Sequence, residues 1–452
     1  MFEHEITILR DTFGRLLRRH AHTNLIKLIY KTHPADLAIL FRYFNDDQQT
    51  QVFNLMNNDA HTAEFLVELD DTLIANLLDG KPPQDVAKLI EHASANDQSY
   101  ILGTLENNQA HAIIDLLNTE EQEEIEELMG YPEDSAGAMM TTDVFTLFQN
   151  TSCENALRTL QDQADAEMVF YLYITDDDDR LVGVASLRAL ATTPSDTLLK
   201  DIMVKKVHSV RPETDQEDVA LIVAQYNYLA VPVLDGDGHL IGIVTVDDVV
   251  DVIREEATED FLQMAGAGKD REILLKSSWE NAKARLPWLF ASWIGGIIAV
   301  TIIGTFEHML ENIIALAAFI PVIIGMGGNI GTQSSTIIVR GMATGRIEIG
   351  NELKILAKEL RVGIILGVLY GLLLGIFANF KFMNSDPMLG VVVGLSMCCS
   401  MLIAVAFGTI IPLILRKIDI DPAVATGPFV TTTIDILGVF LYFIIAGSLL
   451  SI

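Results

Sequence analysis

Residues 421–438 read DPAVATGPFVTTTIDILG. Asp421 followed by Pro422 is a helix-start signal, and Asp419 sets a second acid beside it. Capping accounts for both, with attraction of cations an additional use. From 423 to 450 the chain is apolar for longer than the about 20 residues that a bilayer crossing takes. Halfway along stands Asp435. A charge at that depth costs roughly 2.5–3.5 kcal/mol on insertion scales, so it faces a partner, water or an ion. Helical spacing brings Thr431 and Thr432, and on the other side Gly438, to the same face.

Four more apolar runs precede this one, at 286–305, 313–339, 362–378 and 388–415. None of the five contains Lys or Arg, so Asp435 has no cationic side chain of its own depth to pair with. The alternative to an ion site is a protonated Asp bonded to a neighbouring helix. Five spans put the two ends of the chain on opposite sides of the membrane. Short cytoplasmic loops collect basic residues. Arg340, Arg346, Lys354, Lys358, Arg361, Arg416 and Lys417 fall in the two loops on the N-terminal side, and only Lys381 falls in the other two. The N-terminal half is therefore expected in the cytoplasm and the C-terminus across the cell (inner or plasma) membrane.

In the second span Pro321 precedes GMGGNIGTQSS, 325–335. Pro and glycines loosen a helix and free carbonyls for water or an ion, so Asn329, Thr332 and Gln333 are candidates to line a path. In the third, Gly363, Gly367, Gly371 and Gly375 recur every four residues, which reads as close helix packing. Mg2+ dehydrates reluctantly and is usually held by one or two carboxylates with several waters retained, which suits Asp435 among hydroxyls; Ca2+ asks for more direct oxygens. On a twofold axis two copies of Asp435 would share one ion, a chemical reason for a homodimer.

The chain has 452 residues and a formal net charge of −31. Residues 271–452 carry 11 acidic and 12 basic side chains, leaving 50 and 18 for 1–270. A segment so acidic repels nucleic acid and concentrates cations. Cys153, Cys398 and Cys399 form neither a disulfide framework nor a metal-spaced pair. The first residues lack a signal-peptide core and cleavage site.

Residues 137–258 hold one pattern twice. MMTTDVFTL, a helical stretch about 154–163 and VFYLYITDDDDRLVGVASLRAL form one copy; DIMVKKVHSV, a helical stretch 216–226 and LAVPVLDGDGHLIGIVTVDDVV form the other. Each reads β-α-β-turn-β-α, with Asp-rich and Asp-Gly hairpin turns. The pair resembles a tandem cystathionine-β-synthase (CBS) module. Residues 1–130 offer only short amphipathic stretches, such as PADLAILFRYF and QDVAKLIEHA, which predict a small helical superhelix. The fold class expected is multidomain: an acidic α-helical N domain (1–130), an α+β CBS tandem (137–200 and 201–258), a long linker or plug helix (250–284) and an all-α membrane domain (285–452).

In the linker, Asp248, Asp251, Glu255 and Glu259 recur at three or four residues and stack on one face, a repulsion of a few tenths of a kcal/mol per pair that a divalent ion reverses. The bland alternative is a solvated acidic face. GAGK, 266–269, lacks phosphate-loop spacing, and no HExxH occurs, so no enzyme is expected.

The order of parts, with PVIIGMGGNIGTQ in the second span and the 421–438 stretch in the fifth, resembles the MgtE family of Mg2+ channels or transporters over essentially the whole chain. The resemblance implies a homodimer with the pore between subunits, Asp435 at its Mg2+ site and backbone near Thr431 beside it. It implies closure by cytosolic Mg2+ held between soluble domains. The ligands implied match Asp248, Asp251, Glu256, Glu259, Asp260 and the Gly137 carbonyl, and less closely Asp215 and Glu217. Asp59 and Glu91 are candidates by position alone. It also allows ATP at the CBS module. Competing readings are a broader divalent transporter, carrying Co2+ or Ni2+ with Na+ or H+ coupling, and a membrane-anchored sensor that transports nothing.

Overall fold

The computed structural model describes the chain except residues 1, 58–59, 163–170, 271–272, 274–275, 348–349, 384–385, 419 and 451–452. It forms two compact units, Met1–Ile253 and Arg254–Ile452.

Among the described residues, the first unit begins with ten helices, from Phe2–Arg18 to Thr119–Met129. From the third on they start at Pro34, Asp46, Ala60, Asp71, Pro83, Ala95, Asn107 and Thr119, a turn-and-helix unit of about a dozen residues. Helices this short need tertiary packing and good caps to persist. Asn45 and Gln48 form a reciprocal capping box, and Asn118 accepts from the Glu121 N–H at 3.0 Å. Each unit stacks mainly on the next but one, which winds the superhelix around a core that includes Phe13, Phe41, Phe65, Ile74 and Ile101.

The repeat that follows is a pair of small sheets. In the first, β1 (Thr146–Phe148) runs parallel to β2 (Tyr171–Thr175), which pairs antiparallel with β3 (Leu181–Ser186). In the second, β4 (Ala230–Leu234) pairs antiparallel with β5 (Leu240–Thr245), and the counterpart of β1 is reduced to a parallel bridge between Val210 and Val233. Both hairpins turn on the same device. Asp176 Oδ1 accepts from the N–H groups of Asp178 and Arg180, and Asp235 Oδ1 from those of Asp237 and His239. Such Asx turns are why the Asp-rich loops were legible in the sequence. The two intervening helices are Cys153–Asp162 and Gln216–Tyr226.

The linker expected over 250–284 is helical over Val246–Met264 and again from Ser278. Gly266 and Gly268, with φ of +69° and +96°, supply a left-handed turn in between, which is open to glycine at no steric cost.

Among the described residues of the second unit, five helices are long and apolar enough to cross a membrane: Ser278–Thr305, Ala315–Ala343, Glu352–Lys381, Leu389–Lys417 and Pro428–Leu449. The third starts ten residues before the apolar run that marks it in the sequence. Its glycine stripe packs on the fourth span, where Gly371 and Gly375 approach the carbonyls of Gly394 and Gly390. The fourth span is the hub, buried against the second, third and fifth. The first packs on the fifth and buries only Gly295.

A Cβ on Gly371 would lie 2.5 Å from the Gly394 carbonyl oxygen. Gly371→Val should therefore destabilise the membrane part by about 1–3 kcal/mol, read as an earlier midpoint in an SDS unfolding titration.

Candidate metal sites

The fifth span starts late. Asp421 caps a 3-10 turn, Pro422–Ala425, by accepting from the Ala423 N–H at 2.8 Å, and the α-helix begins at Pro428. Capping at Asp421 is thus as expected, and Asp419 lies outside the described residues. Asp435 is half-buried on this helix. The second span meets it with glycine: a Cβ on Gly328 would sit 3.7 Å from Asp435 Oδ1. Ile434 packs against Gly327 and Gly331 of the same span, which fixes the rotation that turns Asp435 toward Gly328. Thr432 seats its methyl on Gly295 of the first span, and the Thr431 hydroxyl bonds within its own helix start, to the Gly427 and Pro428 carbonyls at 3.3 Å. Gly438 is buried against Ser400. Of the second-span candidates, Asn329 and Gln333 are exposed on the chain and Thr332 is half-buried. An exposed Asn and Gln on a bilayer-crossing helix call for a polar neighbour, since hydrocarbon offers none.

Asp421, grouped with the pore residues by sequence, has a second set of partners. Gln263, fully buried near the end of the linker helix, donates to Glu259 Oε1 at 2.9 Å and to Asp421 Oδ2 at 2.7 Å. Lys269 Nζ lies 3.0 Å from Glu259 Oε1 and 3.9 Å from Asp421 Oδ2. Burial, and then the charge of Asp421, push the Asp260 carboxyl up to about 6, with Arg340 pulling the other way. Three acids from two chain segments thus converge on one patch, and such like charges favour a divalent counterion.

A second acidic group lies in the first unit. Asp248 accepts from the Thr245 hydroxyl at 2.5 Å, and burial pushes its carboxyl up to about 6, with Asp247 and Asp97 adding to the rise. Asp97, also raised by burial, was not singled out by sequence because Ser94-x-x-Asp97 reads as an ordinary helix start; Ser94 Oγ donates to it at 2.6 Å. Asp251 and Glu255 are exposed and Glu256 is half-buried. Asp215 caps the Gln216–Tyr226 helix by accepting from the Glu217 N–H at 2.8 Å. Gly137 donates its N–H to the Pro212 carbonyl, and a Cβ there would run into the Tyr131 ring. Glu91 is exposed at the end of the Pro83–Ile90 helix, and Asp59 lies outside the described residues.

Asp235, Asp237 and His239 are also close enough to share an ion. The oxygens of Asp235 are already engaged by the hairpin, Oδ1 by two N–H groups and Oδ2 by His239 Nδ1 at 2.9 Å, so this cluster reads as a turn. In the second CBS copy the His208 ring stacks on Tyr226 with centroids 4.2 Å apart and bonds Tyr228 through Nδ1 at 2.6 Å, an aromatic shelf suited to a flat base.

The arrangement defines a class: a five-span membrane protein with one carboxylate at depth and buried acids outside it, joined to a helical domain and a CBS pair. Family models match the chain as the MgtE intracellular N domain over 32–134, CBS domains over 136–195 and 199–255, and MgtE, a divalent cation transporter, over 320–445. The magnesium transporter MgtE of Enterococcus faecalis is 40% identical over 330 residues, covering 73% of this chain and 72% of that one. That of Thermus thermophilus is 38% identical over 339 residues, covering 74% of each. The chain belongs to the MgtE family. The cytosolic domain of the Mg2+ channel MgtE, solved in complex with ATP, superposes with a TM-score of 0.51 at 34% identity, over 54% of this chain and 99% of that one. The soluble part of a magnesium transporter gives 0.50 at 32% identity, over 56% and 99%.

Because Asp248 and Asp260 titrate near 6 in the fold and near 3.8 in an unfolded chain, their contribution favours the folded state at low pH and is lost as pH rises through 6. In chelator, Asp248→Asn and Asp260→Asn should each flatten the decline in thermal stability between pH 5 and 7.5 relative to the unaltered protein.

Proposed function

We propose that this chain is a Mg2+-selective channel whose pore site is Asp435 and whose opening is set by cytosolic Mg2+. The observation that carries the reading is a half-buried carboxylate on a bilayer-crossing helix, faced by glycine on the neighbouring span. Glycine at 328 leaves room around the carboxylate for a cation that keeps its water. The exposed Asn329 and Gln333 find their polar neighbour across a homodimer axis, where the pore runs between subunits and Thr431 and Thr432 flank the ion.

In this reading the soluble units lie in the cytoplasm, on the side of the basic loops. Mg2+ in the group of Asp97, Asp247 and Asp248, with the Gly137 carbonyl, Asp251, Asp215 and Glu217 as the further ligands of this reading, replaces repulsion by attraction. So does Mg2+ among Glu255, Glu256, Glu259, Asp260 and Asp421 at the end of the linker helix. When the ion leaves, these acids repel and the linker is released. ATP fits the reading as a ligand of the CBS pair, its base on the shelf of His208, Tyr226 and Tyr228. The name of the family model, a divalent cation transporter, supports testing Co2+ and Ni2+ beside Mg2+.

The decisive experiment is Mg2+ uptake into proteoliposomes at several internal Mg2+ levels. Asp435→Asn should lower uptake at least about tenfold, equivalent to a loss of about 1.4 kcal/mol; unchanged uptake removes Asp435 from the pore. Millimolar Mg2+ should also slow tryptic cleavage after Arg254 and Lys269, both exposed side chains in the linker region, and equal cleavage with and without Mg2+ would count against gating.

A further inference from the structure

The third span holds a buried acid that the pore reading leaves unused. Glu359 is 8% exposed, and its Oε2 accepts from the hydroxyl of Ser334, on the second span, at 3.2 Å. Its neighbours Lys358 and Arg361 are exposed, and among the described residues no Lys or Arg forms an ion pair with it.

Among the described residues, four hydroxyls of the spans are fully buried with no hydrogen-bond partner: Ser396 and Ser400 lie farther back along the fourth span, and Ser335 Oγ on the second and Thr409 Oγ1 on the fourth lie toward Glu359. Helix geometry brings the last two to the level of Glu359. Gly363, one turn after Glu359, packs on Val405 and Leu402, and Thr409 comes one turn after Val405. The third and fourth spans run antiparallel, as Gly371 on Gly394 and Gly375 on Gly390 require, so Glu359 and Thr409 stand on facing stripes at one height. The second span runs parallel to the fourth, and a close approach of Gly331 to Gly408 sets Ser334 and Ser335, one turn on, within one helical turn of Thr409.

We propose that Glu359, Ser334, Ser335 and Thr409 form a binding site for a desolvated monovalent metal cation of sodium size, inside the helix bundle and separate from Asp435. Charge selects the valence. One carboxylate balances one positive charge, while a divalent ion would leave a net charge buried in apolar surroundings. A proton would neutralise Glu359 yet leave the Ser335 and Thr409 oxygens unmet, at a cost of about 1–3 kcal/mol each. A metal ion takes lone pairs from all four side chains at once and frees each hydroxyl proton for a helix carbonyl. A ring built within one helical turn from short side chains encloses a small ion. The site lies where the third span is tied to the second, the helix that faces Asp435.

The test is thermal unfolding of the full-length protein in detergent, with NaCl, KCl or N-methylglucamine chloride at one ionic strength and Mg2+ saturating. Sodium should raise the midpoint by about 3 °C over N-methylglucamine, the shift expected for occupancy worth about 1 kcal/mol. Glu359→Gln and Thr409→Val should abolish that increment, while the stabilisation that Mg2+ gives each variant persists. Each variant is compared with itself in different salts, so a lower starting stability does not confound the result. No sodium increment in the unaltered protein, an equal increment in potassium, or an increment kept by both variants would overturn the proposal. None of these outcomes bears on Mg2+ uptake through Asp435.

Discussion

A carboxylate cannot rest in hydrocarbon without an oxygen-rich or aqueous neighbour, and the membrane part of this chain is arranged around that constraint. Asp435 has no Lys or Arg of its own depth, and in the proposed pore the neighbouring helices leave room for a cation to arrive. They do so with small residues. Gly328 leaves the side of Asp435 open, while Gly327 and Gly331 admit Ile434 and so fix which way the fifth span turns. Gly295 lets the first span close on Thr432. The glycines that a composition count treats as packing residues therefore differ in purpose. Those of the third span bring backbones together, and Gly328 of the second holds space open.

The same electrostatics, at lower cost, governs the acids outside the spans. Asp248 and Asp260 are both buried enough to be raised to about 6, and each has further acids close by. Groups held in that state store repulsion that a divalent ion would relieve, in keeping with the gating proposed above. Asp421 shows how one residue serves two ends: one oxygen caps the entry to the fifth span and the other is held by Gln263.

Much of the fold was legible because its signals are local. The five spans follow from apolar length, the CBS hairpins from Asp-rich and Asp-Gly turns, and the N-terminal helices from short amphipathic runs. Boundaries were less legible where local signals mislead. The third helix extends through Lys354, Lys358 and Arg361 because helix propensity carries on past the apolar run, and the linker breaks at Gly266 and Gly268 despite strong helix formers on both sides. Among candidate ligands, Asp435 was singled out from cost and Asp248 from spacing, while Asp260 came from the family resemblance. Asp97, Gln263 and Glu359 were not singled out: each sits among residues that look like an ordinary cap, a polar helix face or a basic membrane edge.

The sequence by itself determined the membrane class, the acidic and neutral halves, the repeat and the one acid at depth, since each is a property of a single segment and its solvent. Only the tertiary structure decided which acids share a patch, that Asp421 joins Gln263 and Glu259, that Gly328 is the face Asp435 meets, and that Glu359 is buried beside Ser334. Burial and proximity between segments far apart in the chain depend on how helices pack, and packing is set by the shapes of many side chains at once rather than by any stretch that can be read alone.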